Sequence, residues 1–400
     1  MKNEYLSKLN LRLRAMSVFR ALLKDSVISS LVRYFDTLED GDTRAAVSAY
    51  SSFVSALYGS GVRTLSEYVR SIVGDDENIY IKTVGSGNDP SAEVKQAVRH
   101  ELKTWQYIAD LDSRALIKTL NCAEFLPRFE AEKINIADWY NHRTENIGKY
   151  GYGIYARYHM FYIEKSGTIV PVKNPDNTTL AQLVDYKEEQ QIIIDNTRAL
   201  LSGKPAANIL LTGDAGTGKS STVKAVVNEL YTEGLRILEV RKEQLTAIPA
   251  ILDELGNNPL KFIIFIDDLS FRKDDDNYSA LKAILEGSVS AKSDNVVIYA
   301  TSNRRHLVKE SFSDRDGDDV HRNDTMQELI SLSERFGIHI TFQRPSKETY
   351  LHIVHHLARE SGVKMNDDEL DLLAERFALS RGSRSARAAK QFIDGLLAKQ

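Results

Sequence analysis

Eight consecutive residues constrain this chain more than any others: Gly213-Asp214-Ala215-Gly216-Thr217-Gly218-Lys219-Ser220, a G-x-x-x-x-G-K-[ST] loop. The pattern carries chemistry only where it joins a strand to a helix. Both are expected here. Asn208 to Leu211 is a short strand-forming run, and Ser221 to Glu233 puts Val223, Val226, Val227 and Leu230 on one helical face, with Gly234 as a natural stop. Gly213, Gly216 and Gly218 can take positive φ, so the backbone can close on a phosphate with its N–H groups and the helix N-terminus aimed at the charge. In such a loop Lys219 reaches the β- and γ-phosphates and the Ser220 hydroxyl holds Mg2+. Asp214, Ala215, Thr217 and Ser221 complete the expected nucleotide-binding set.

The pattern around the loop predicts an α/β fold. Strands are expected at Arg236 to Val240, Lys261 to Ile266, Val296 to Thr301 and His339 to Phe342, separated by helices, which gives a parallel five-stranded sheet covered on both faces. The run Phe262 to Ile266 ends in Asp267-Asp268, at the end of a strand where ligands of open α/β sheets bind. Asp267 is the expected Mg2+ ligand and Asp268 the base or orienter of an attacking water; the bland alternative is a pair of aspartates capping the next turn. Pro345 ends the sheet, and Ser346 to Glu360, Asp367 to Ala378 and Ser385 to Ala398 form three amphipathic helices.

Upstream, Asn3 to about Val73 and Ser91 to about Thr119 have helical periodicity, with Leu6, Leu9, Leu13 and Met16 on one face. Tyr150 to Val172 is rich in strand formers, among them Tyr155, Tyr158 and Phe161, and Lys165-Ser166-Gly167 supplies the turn of a β-hairpin. Asn174-Pro175-Asp176-Asn177 is the expected linker. These signals divide the chain into a mostly helical N-terminal domain with a hairpin, 1–175, a nucleotide-binding core, 176–344, and a helical lid, 345–400. A net charge of -4 gives no global attraction to nucleic acid or acidic membranes. The single cysteine, Cys122, excludes an intrachain disulfide, which fits a cytoplasmic protein, and no apolar run is long enough for a membrane span.

Taken together, the loop Gly213 to Ser220, the strand ending Asp267-Asp268, the strand Val296 to Asn303, the segment Ser333-Glu334-Arg335-Phe336-Gly337 and Arg387 resemble the AAA+ ATPases. More narrowly, the phrases Gly213 to Lys224, Asp267 to Phe271, Ala300 to Leu307, Tyr150 to Gly153 and Ala156 to Phe161 look like a bacterial AAA+ subfamily known only as a domain of unknown function. The resemblance implies ATP and Mg2+ as ligands. It implies Asn303 as the polar residue placing water against the γ-phosphate, and Arg335 as a finger inserted by a neighbouring subunit of a ring or open arc. Arg387 is the implied γ-phosphate contact from the lid, with Arg384, one turn away, competing for the role. Adenine recognition would fall near Asp185 and Tyr186. Two departures stand out. Asp268 is one methylene shorter than the usual glutamate, and Val240 to Leu245 lacks an aromatic-glycine pore loop, which argues against polypeptide threading.

The implied activity is Mg2+-dependent ATP hydrolysis at sites between subunits, used to remodel or load an unidentified protein or DNA client. A nucleotide-gated binding module with little turnover is the alternative. Three other clusters are weaker. Asp314, Asp316 and Asp318 around Gly317 resemble a calcium loop, but Asp319 and Thr325 stand where its glycine and bidentate glutamate belong. His352 and His356 have i,i+4 metal-pair spacing without a nearby third ligand. Arg381, Arg384 and Arg387 form a basic patch with no base-reading helix beside it.

Overall fold

The computed structural model describes residues 2–120, 125–270, 276–286, 294–303 and 334–398, and the chain divides into two compact units, Met1–Arg157 and Tyr158–Gln400. The expected calcium-like loop at Asp314 to Thr325, the thiol of Cys122, and Ser333 lie outside the described residues.

In the first unit the helices begin where short polar side chains satisfy the free N–H groups of the first turn. Asp25 accepts from the backbone of Val27 and Ile28 ahead of Ser26–Glu39, Asp42 caps Thr43–Gly59, and Ser91 caps Ala92–Ala109. The last helix stops at Asp110 and a separate short helix, Ser113–Ile117, follows, so the continuous helix expected to Thr119 is broken. The amphipathic faces converge on Phe19, Tyr34, Phe35, Tyr50, Phe53 and Trp105, all fully buried. Glu101 is buried among them, and its carboxylate is fully engaged: Ser17, Val18 and Phe19 donate their backbone N–H groups and Ser17 its hydroxyl.

Among the described residues the second unit is built on one sheet of seven strands rather than five: β1 (Met160–Ile163), β2 (Ile169–Pro171), β3 (Ile209–Gly213), β4 (Leu235–Glu239), β5 (Lys261–Ile266), β6 (Val296–Ser302) and β7 (Ile338–Phe342). Their order is β2-β1-β4-β5-β6-β3-β7, parallel throughout except for the β1–β2 hairpin. The hairpin therefore belongs to this sheet and not to the N-terminal helical unit, and the division falls at Arg157 rather than at 175. The reason is the open edge of β4, whose backbone groups need partners. β1 pairs parallel to it, Met160 opposite Ile237, and Ile237 N–H donates to His159 O at 2.9 Å. Tyr155, expected in the hairpin, lies in the short helix Ile154–Arg157 of the first unit.

Alternation along the strands sends Ile209, Leu211, Ile263, Phe265 and Tyr299 to one face, where they pack with Ile193 and the apolar stripe of the helix Lys219–Leu230. Leu210, Phe262, Ile264 and Ile298 are buried on the other face, the side covered by Ile248–Gly256. Tyr299 places its hydroxyl within 2.8 Å of Thr197 Oγ1 and accepts from Asn196 Nδ2 at 3.0 Å, which ties the helix Lys187–Leu201 to β6. The C-terminal helices Lys347–Glu360, Asp367–Arg381 and Ala386–Leu397 have their own cluster around Tyr350, Ala374, Ala389 and Phe392. Among the described residues, no helix is long and apolar enough to cross a membrane.

Candidate active site

β3 lies between β6 and β7, so the loop that follows it opens at the carboxyl ends of three parallel strands. The helix begins at Lys219, two residues before the expected start, with Gly218 at φ 96 as its N-cap. Gly213 has φ 141, and a Cβ there would lie 2.2 Å from the carbonyl oxygen of Phe342; the loop passes β7 at a distance only glycine allows. Gly216 touches the C-terminal bundle: its carbonyl accepts from Arg387 N–H at 3.4 Å, and a Cβ would meet Arg387 Cβ and Ser385 Oγ, each at 3.1 Å. The loop is braced from within by Thr217 Oγ1, which donates to Asp214 O at 2.9 Å.

Lys219 is buried at the centre of this arrangement. Its ammonium donates to Gly213 O and Asp214 O, each at 2.8 Å, and to Asn303 Oδ1 at 3.0 Å. Burial holds its pKa below the ordinary 10.5, and the negative charges of Asp267, Asp214 and Asp268 oppose that shift. Asn303, just past β6, returns a bond from Nδ2 to Asp268 Oδ1 at 2.7 Å. Ser220 Oγ donates to Asp267 Oδ1 at 2.6 Å. Lys219, Ser220, Asp267, Asp268 and Asn303 thus form one bonded group assembled from β5, β6 and the loop. Asp268 sits in left-handed backbone at φ 53, rare for a residue with a side chain and characteristic of functional sites.

These groups line a cavity of about 710 Å3 that extends from the loop to the bundle. Tyr186, Leu183 and Val184 are among its apolar lining residues, as are Ile353, Leu357 and Ile393 of the bundle. Asp185 and Tyr186 both have left-handed backbone, and Gln190 Nε2 pins that turn by donating to Leu183 O at 2.9 Å and Asp185 O at 3.2 Å. Tyr186 donates to Gln343 O at 2.5 Å and leans on the Phe342 ring.

The two competing arginines part company. Arg387 lines the cavity, whereas Arg384 forks onto Glu375 with bonds of 3.0 and 2.8 Å. Arg335 is not among the cavity residues and donates to Glu286. His352 is 3.4 Å from both carboxylate oxygens of Asp185, His355 2.7 Å from Asp371, and His356 3.6 Å from Glu360, so the three point to separate carboxylates. Among the described residues no group of three or more His, Cys, Asp or Glu could hold a metal ion. The cavity residues that sequence reasoning missed include Thr178, Gln182, Lys390 and Thr301. Lys390 had a signal, since it stands three residues after Arg387 on one helix face. Thr301 had one too, since it stands two residues before Asn303 at the expected end of a strand.

A family model described as "Protein of unknown function (DUF815)" matches residues 156–400, which takes in the whole cavity and leaves Tyr150 to Gly153 outside. Among solved structures, the Thermotoga maritima RuvB Holliday junction branch migration motor is similar over 54% of this chain and 71% of its own, at 13% identity and a TM-score of 0.32. No curated protein matches the sequence.

Proposed function

The chain belongs to the DUF815 family, and we propose that it binds ATP with Mg2+ in the cavity above Gly213 to Ser220 and hydrolyses it to ADP and phosphate. The observation that carries this reading is the bonded group Lys219, Ser220, Asp267, Asp268 and Asn303, in which a cation, two carboxylates and an amide meet a loop of three positive-φ glycines. The residues suit the ligands. A cavity of about 710 Å3 is of the size nucleotides occupy. The Ser220 hydroxyl and the Asp267 carboxylate are hard oxygen donors already 2.6 Å apart, the pair a P-loop uses to hold Mg2+.

In this reading the residues take the following roles. The loop N–H groups and Lys219 bind the phosphates, and Lys219 exchanges its carbonyl partners at Gly213 and Asp214 for phosphate oxygens. Mg2+, held by Ser220 and Asp267, would supply positive charge to the phosphate oxygens. Asp268 takes the proton of a water whose oxygen bonds to the γ-phosphorus as the bond to the β–γ bridging oxygen breaks, and Asn303 orients both. Arg387 approaches the phosphates from the bundle, and Tyr186 with Leu183 and Val184 holds the adenine. Arg335, turned to Glu286 in the single chain, serves the site of a neighbouring subunit in a ring or arc. The energy of turnover then moves or loads a protein or DNA client in the cytoplasm.

Phosphate release measured against protein concentration, with light scattering with and without ATP, tests this. Specific activity should rise with concentration. Arg335→Ala should lower it by about 10^3 or more while leaving ATP binding intact, and Glu286→Ala, which breaks the same ion pair, should retain it. Equal turnover in wild type and Arg335→Ala removes the arginine from the site. Tight ATP binding with no turnover at any concentration, with or without DNA, establishes a nucleotide-gated binding module instead.

A further inference from the structure

We propose that Thr301 is the positioning residue of this site, setting both Asp267 and Asp268 through one buried hydroxyl; the proposal rests on the nucleotide reading above. Thr301 is 2% exposed, near the end of β6. Its Oγ1 donates to Asp267 Oδ1 at 2.5 Å and accepts from Asp268 N–H at 3.0 Å. The hydroxyl has one proton and two lone pairs, and it uses the proton on the first aspartate and a lone pair on the second.

The consequences for the two acids differ. Asp267 Oδ1 accepts from Ser220 Oγ, Thr301 Oγ1 and Asp268 N–H, so every hydrogen bond described at this carboxylate falls on Oδ1 and the other oxygen is left for a cation or its water. Asp268 has the opposite need. Its left-handed backbone is held by an N–H shared between the Thr301 hydroxyl at 3.0 Å and Asp267 Oδ1 at 3.1 Å, the latter itself anchored by Thr301, while Thr301 O accepts from Leu269 N–H at 2.7 Å. The Asp268 side chain is then free to meet Asn303, which follows β6 two residues after Thr301. Backbone pairing puts Thr301 opposite Leu211 of β3, between the strand that feeds the loop and the strand that ends in the acids. A valine would fill the same volume and keep the strand, and a serine would keep both bonds without the methyl group.

The test compares Thr301→Val and Thr301→Ser with wild type in the full chain. Amide hydrogen exchange at single-residue resolution comes first because it needs no nucleotide. In Thr301→Val, protection of the Asp268 amide should fall about tenfold or more while the Leu269 amide, bonded to the unchanged carbonyl, keeps its protection. Thr301→Ser should match wild type at both. Loss of both protections together means a general fraying of β6 and overturns the proposal, as does no loss at all. The second readout is a Mg2+ titration of ATP binding and phosphate release. Thr301→Val should need about ten to a hundredfold more Mg2+ for half-saturation, as removal of other outer-shell ligand supports does, with ATP binding in EDTA unchanged and Thr301→Ser within about threefold. A wild-type Mg2+ profile in Thr301→Val overturns the proposal. If wild type binds no ATP, the nucleotide reading fails, and the exchange result still decides whether Thr301 sets the aspartates.

Discussion

Gly213 offers a sharp test of how tightly the sheet and the loop are joined. Gly213→Ala adds one methyl group at φ 141, 2.2 Å from Phe342 O and 3.0 Å from Phe342 C. Those atoms are backbone of β7, paired with Gly213 in the parallel ladder, so no side chain can swing away and the strand ends must open by most of an ångström. The backbone strain of a non-glycine residue there is about 1–3 kcal/mol. Losing about one ladder hydrogen bond adds roughly 1 kcal/mol, and loosening the buried Phe342 ring adds about 1 more. The total, about 3–5 kcal/mol, should lower the melting temperature of this unit by about 6–20 °C at about 2–4 °C per kcal/mol. Gly218→Ala is the control: φ is 96 but a Cβ would meet nothing within 4 Å, so only the strain of about 1–2 kcal/mol applies. Thermal unfolding followed by circular dichroism without nucleotide measures both. If the two variants melt within about 2 °C of each other, the clash with β7 is absent and the reasoning is wrong.

Two further outcomes follow from the site. Lys219 is held below its ordinary value in the fold, so between the folded value and 10.5 the unfolded chain binds more protons and stability rises with pH across that window. Lys219→Met should remove this alkaline rise in chemical-denaturation midpoint and abolish ATP binding; an unchanged pH slope would show the amine is not desolvated. Arg387→Ala should weaken ATP binding about tenfold, as loss of one charge-assisted bond does, whereas Arg384→Ala should leave it unchanged because that guanidinium is spent on Glu375. Isothermal titration distinguishes them, and equal losses would mean the two share the cavity.

Much of the core was legible because it depends on local chemistry. β5 begins and ends at the expected residues, the other core strands fall within two residues of expectation, and Ser346 and Ser385 cap the helices they precede. A positive-φ glycine, a period of two or of 3.6 and a capping hydroxyl act over a few residues, so the sequence alone determined the loop, the strand carrying Asp267-Asp268 and the three C-terminal helices. Tertiary structure decided what depends on distant pairing. A hairpin signal does not say which edge it will cover, and only the unpaired side of β4 drew β1 and β2 into a seven-stranded sheet. Arg384 and Arg387 are alike in sequence, and Glu375, nine residues before the first, separates them. The spacing of Thr301 from Asn303 was a faint sequence signal; its hydroxyl matters because β6 lies beside β5 and brings it within 3.0 Å of both aspartates. A local rule fixes what a segment can be. Which side chains meet is fixed only when the strands choose their neighbours, because that choice minimises unpaired backbone and exposed apolar surface over the whole unit at once.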